Sequence, residues 1–95
     1  MFVGVAEVEM FFSYSGSLKE KRRALRKLID NLKNNFPVSV SEVDMQDLWQ
    51  KAVIGISTVS SDKVVIDRVF EKVEDFIERL NICEIITFRK EIFSW

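Results

Sequence analysis

Two stretches of this chain repeat their apolar residues at helical spacing, and each lies between runs that alternate every second position. That succession of periods constrains the fold more than any single motif, because side chains recur every 3.6 residues on a helix and every 2 on a strand. In residues 2–12, Phe2, Ala6, Val8, Met10 and Phe12 share one side, and Val3, Val5, Glu7, Glu9 and Phe11 the other. Ser13 to Gly16 read as a loop, and Ser17 with Glu20 forms a capping box that starts a helix. Leu18, Leu25, Leu28, Ile29 and Leu32 make its apolar stripe, until Asn34, Asn35 and Pro37 stop it. A second strand is expected over residues 38–44. Residues 45–47 are too short for a crossover helix, so the next strand, residues 48–59, should be antiparallel to it. Ser60 to Asp62 offer N-caps for a second helix with the stripe Ile66, Val69, Phe70, Val73, Ile77 and Leu80. Asn81 ends that helix, and residues 82–93 form the last strand.

The order β-α-β-β-α-β predicts an α+β, ferredoxin-like domain: a four-stranded antiparallel sheet with both helices on one face and strands one and three in the centre. Ninety-five residues make one such domain, residues 1–95. The apolar run at residues 2–12 carries Glu7 and Glu9 and no basic flank, so it fits neither a signal peptide nor a membrane span. A cytoplasmic protein is the expectation.

Composition narrows the chemistry. The chain has no histidine and one cysteine. His is the usual general base near neutral pH, and N/S zinc sites take about four Cys or His ligands, so the sequence points away from an enzyme and from a bound metal or other cofactor. Cys83, in an apolar β-rich run, reads as a packing residue. An Arg in the first loop, as an acylphosphatase-like enzyme needs, and a Cys-x-x-Cys, as a soft-metal carrier needs, are both missing.

Charge is nearly balanced overall, at −1, but not along the chain. Residues 17–35 hold Lys19, Lys21, Arg22, Arg23, Arg26, Lys27 and Lys33 against Glu20 and Asp30, a net +5. On a helical wheel all but Lys21 fall within an arc of about 140°, facing away from the leucines. Lys21 points towards the apolar side and is expected to snorkel from the first turn. A positive stripe of this kind suits the phosphates of RNA or DNA, or an acidic protein surface, and a solvated amphipathic helix is the plainer alternative. The candidate nucleic-acid-binding residues are therefore Lys19, Arg22, Arg23, Arg26, Lys27 and Lys33, joined by a loop, Ser13 to Ser17, whose backbone N–H groups can hold one phosphate or simply turn and cap. The sheet is a poor base-stacking platform, since Glu7, Glu9 and an aliphatic third strand occupy its middle.

Two further surfaces stand out. The sheet face away from the helices is expected to carry Val3, Val5, Phe11, Trp49, Val53, Ile85, Phe93 and Trp95, more apolar area than a solvated face shows, which suggests a homodimer or a purely structural oligomerisation module. Glu42, Asp44 and Asp47 cluster at the second hairpin, where they could share a divalent cation in a metal-dependent hydrolase, meet the basic helix of a second copy, or orient Trp49 and Gln50 for packing.

Two segments together, Ser17-Leu18-Lys19-Glu20-Lys21-Arg22-Arg23 and Glu42-Val43-Asp44-Met45-Gln46-Asp47-Leu48-Trp49-Gln50-Lys51-Ala52, resemble the YlxP-like family of small bacterial proteins of unknown function. Members often carry a His where this chain has Met45. The similarity runs essentially end to end and implies a ferredoxin-like fold in a bacterial cytosol. Genes of such proteins often lie among those for translation initiation and ribosome maturation, so the resemblance implies association with RNA or a ribosomal particle and supplies no catalytic residues.

Overall fold

The computed structural model describes residues 1–95. Strand β1 (Phe2–Phe11) leads into helix α1 (Leu18–Asn35), then β2 (Ser39–Asp44), β3 (Lys51–Ser60), helix α2 (Lys63–Leu80) and β4 (Glu84–Ser94). The sheet order is β2-β3-β1-β4, and each neighbouring pair is antiparallel. This is the ferredoxin-like arrangement, with β1 and β3 in the centre.

Each helix starts and stops where its local chemistry requires. Ser17 caps α1 by accepting from the Glu20 N–H at 3.1 Å, and Asp62 caps α2 by accepting from the Val64 N–H at 2.9 Å. Helix α2 closes on Asn81 at φ 54°, a left-handed C-cap that Asn tolerates better than most residues. Leu25, Leu28 and Leu32 of α1 and Ile66, Phe70, Val73 and Ile77 of α2 are buried against Ala6, Val8, Met10, Ala52, Ile54 and Ile56 of the central strands. Each fully buried side chain of this size contributes about 1.5–3 kcal/mol. At Gly4 a Cβ atom would meet the Phe70 ring at 2.8 Å and press on Ile66 as well, so the missing side chain lets α2 sit close on β1.

Register moves several residues from their expected places. Strand β3 begins at Lys51, so Trp49 lies in the connecting loop and not on the sheet. A bulge between Glu9 and Met10 pairs Glu9 with Thr87 and Met10 with Ile85. Ile86 becomes the extra residue, and Ile85 turns to the helix-facing core. Val53 keeps to the open face but, between Glu9 and Asp44 in the register, is only 5% exposed.

Candidate nucleic-acid interface

Helix α1 presents two different faces. Lys19, Arg22, Arg23, Arg26, Lys27 and Lys33 are all exposed, and none forms an ion pair; the three salt bridges of the protein are Lys21–Glu42, Arg89–Glu7 and Lys90–Asp67. The only carboxylates on the helix, Glu20 and Asp30, are also exposed. Helix α2 differs, because Lys63, Arg68, Lys72 and Arg79 are interleaved with Asp67, Glu71, Glu74, Asp75 and Glu78. The leucine stripe of α1 fixes this geometry: once Leu25, Leu28 and Leu32 face the sheet, the six cations must face outward.

Lys21 does not snorkel. Its side chain is fully buried, and its ammonium donates to the carbonyls of Met45 at 2.9 Å, Lys51 at 3.1 Å and Gln46 at 3.2 Å, and to Glu42 Oε2 at 3.3 Å. Three protons thus face four oxygens, which satisfies a buried charge without water. The wheel placed Lys21 in line with Leu25 and Leu28; what it could not reveal is that a loop would turn three carbonyls onto it. Met45 makes that turn possible at φ 58°, a left-handed conformation costing a non-glycine residue about 1 kcal/mol or more. Asp44 Oδ1 accepts from the Met45 N–H at 2.7 Å and steadies the turn.

The acidic hairpin is therefore organised around the chain's own lysine. Glu42 is committed to Lys21 and Asp44 to the turn, and no group of three His, Cys, Asp or Glu side chains is placed to hold a metal ion. The structure does not bring Glu42, Asp44 and Asp47 together as a three-carboxylate cluster. The phosphate reading of residues 13–17 meets a similar obstacle. The Gly16 N–H donates to Glu20 Oε2 at 2.8 Å, which puts a carboxylate where an incoming phosphate would sit. The loop is instead tied to the hairpin, since Gln50 Nε2 donates to the carbonyls of Ser15 at 3.2 Å and Ser13 at 3.4 Å.

On the open sheet face, Val5, Val59 and Phe93 are exposed, Val3 and Phe11 are half-buried, and Trp95 at the end of β4 is 84% exposed. Val43 joins them by folding over Gly55, where an added Cβ would meet its Cγ1 at 3.0 Å. An exposed Arg89–Glu7 ion pair at 3.0 Å crosses the middle of this face. Cys83 is half-buried beside the core, and burial pushes its thiol up to about 11, so it is protonated and a weak nucleophile at neutral pH. No helix is long and apolar enough to cross a membrane.

Residues 3–90 match a family described as "Protein of unknown function (DUF503)". The chain is 38% identical over 91 residues to "Uncharacterized protein YlxP" of Bacillus subtilis (strain 168), covering 96% of this chain and 99% of that one. Among solved structures, the de novo designed protein Foldit4 is 16% identical with a TM-score of 0.55, covering 100% of this chain and 99% of that one. SnoaB, a cofactor-independent oxygenase from Streptomyces nogalater, is 10% identical with a TM-score of 0.52, covering 99% of this chain and 92% of that one. A designed protein and an oxygenase sharing one architecture show that these likenesses concern the fold alone.

Proposed function

The chain belongs to the DUF503 family, whose function is unknown, and from its geometry we propose that it is a non-enzymatic, cytoplasmic module that docks on structured RNA or a ribosomal particle through α1. One observation carries this reading: six exposed cations on one helix, none neutralised by the chain's own carboxylates. Solvated helices commonly mix both signs, as α2 does, whereas a surface for phosphates gathers one sign. The resemblance to a family encoded among translation genes favours RNA over an acidic protein. Changing Arg22, Arg23, Arg26 and Lys27 to Glu together should abolish RNA retention while leaving thermal stability nearly unchanged, because all four are exposed. Binding that survives the change, or that ignores salt, rejects the reading.

The sheet's open face supports a second reading, compatible with the first: two copies associate there as a homodimer. Val5, Val43, Val59 and Phe93 are all exposed on it, and such an apolar set gains by being covered. Sedimentation should give a dimer that Val5→Glu with Phe93→Glu converts to monomer; a wild-type monomer at micromolar concentration would remove this reading.

A further inference from the structure

Trp49 is 59% exposed on a backbone that has little freedom to hide it. On one side the Leu48 N–H donates to the Met45 carbonyl at 3.1 Å, and Lys21 grips the carbonyls of Met45 and Gln46. On the other, the Phe12 N–H donates to the Gln50 carbonyl at 2.6 Å, and the Gln50 side chain holds Ser13 and Ser15. A tryptophan displayed on an anchored loop differs from one that is exposed because its loop is loose.

The indole borders an open groove of about 490 Å3, with Phe11, Leu48, Gly16 and Lys51 among its walls. Leu48 is 47% exposed, and Tyr14 on the adjoining loop is 82% exposed. Gly16, in the groove wall, directly precedes the cap of α1, and Lys19, Arg22 and Arg23 lie in the first two turns of that helix. Charge limits what can enter. Asp44 and Asp47 are exposed on the same hairpin and repel a phosphate, whereas a neutral planar group meets an aromatic face with Lys51 beside it.

We propose that Trp49 is a stacking platform for one unpaired nucleobase of an RNA whose phosphates lie along α1. This rests on the docking role of α1 proposed above and adds a single-stranded element to the partner. The charges select the polarity of the contact: phosphates to the helix, base to the groove. Base–aromatic stacking tolerates any sequence, so the site favours unpaired over paired RNA and not one base over another.

Only Trp49 and Trp95 fluoresce as tryptophan, so a Trp95→Phe protein reports on Trp49 alone. Titration with an eight-nucleotide single-stranded RNA should quench its emission, and an RNA duplex of equal length should quench it much less. In the wild-type background, Trp49→Ala should weaken single-strand binding by about 5-fold to about 150-fold, while Trp49→Phe keeps most of it. Unchanged emission, or a Trp49→Ala protein that binds as tightly as wild type while the Arg22, Arg23, Arg26 and Lys27 reversal still abolishes binding, overturns the stacking site and leaves the docking helix standing. A wild-type protein that binds no RNA overturns both. A blue shift of Trp49 emission that grows with protein concentration alone gives the groove to a second copy and also overturns the proposal.

Discussion

Lys21 and Glu42 join α1 to the β2–β3 hairpin through an ion pair that is dry at one end: the lysine side chain has no exposure, whereas the glutamate side chain keeps 20%. The two segments that carry the family resemblance, residues 17–23 and 42–52, therefore meet in space at one ammonium. Their shared chemistry is structural before it is functional, since Met45, Gln46 and Lys51 offer backbone carbonyls rather than reactive groups.

Removing the lysine should thus be far worse than removing the carboxylate charge. Lys21→Met leaves three carbonyls and a carboxylate without their donor, for a loss of about 3 kcal/mol, on the scale measured when one partner of a buried pair is deleted. Glu42→Gln keeps an acceptor oxygen, and the ammonium keeps its three carbonyls, so about 1 kcal/mol is expected. Urea unfolding should show the first midpoint falling by about 1.5 M and the second by about 0.5 M. Equal losses would mean that the carboxylate, not the carbonyl cage, holds the hairpin.

What was legible in the sequence follows from which interactions are local. Ser17 and Asp62 announce their helices because a cap bonds only two or three residues away, and the Ile66, Phe70, Val73, Ile77 stripe is one face of one helix. The outward stripe of six cations on α1 was legible for the same reason. A period-2 count puts Ile85 on the open face because it has no knowledge of the bulge opposite Glu9 and Met10, which depends on a partner strand far along the chain. The apolar residues that run back through Leu48 predict Trp49 on β3, yet the strand starts only at Lys51. The cage around Lys21 was hidden most deeply, because three of its four oxygens come from backbone 24 to 30 residues away and backbone leaves no composition signature.

Cys83 sets a pH dependence of known sign. Its thiol titrates near 9.0 when unfolded and near 11 when folded, because burial disfavours the thiolate. Between those values the unfolded chain has lost a proton that the folded chain keeps, so ∂ΔG/∂pH of unfolding is negative there. The stability from the buried neutral thiol is fully present below pH 9 and is lost as pH rises through 11. Thermal melts across this window should show a decline that is smaller in Cys83→Ala, and a thiol reagent at pH 8 should modify the native protein far more slowly than the unfolded one. A Cys83→Ala profile that overlays wild type would place the alkaline loss elsewhere.

Salt titration offers the sharpest quantitative check on α1. If Lys19, Arg22, Arg23, Arg26, Lys27 and Lys33 each neutralise one phosphate of a single strand, the slope of log K against log salt approaches about −4, and removing one contact lowers its magnitude by about 0.7. Arg22→Gln and Lys33→Gln should each shift the slope by that step, and their double variant by twice as much, because these two exposed side chains lie about three turns apart and act nearly independently. Lys72→Gln on α2 should not change it, since that helix already interleaves its own acidic residues. A slope unmoved by the α1 substitutions would place any bound phosphates elsewhere on the molecule, and equal shifts from α1 and α2 would show that overall charge, not the helix stripe, governs binding.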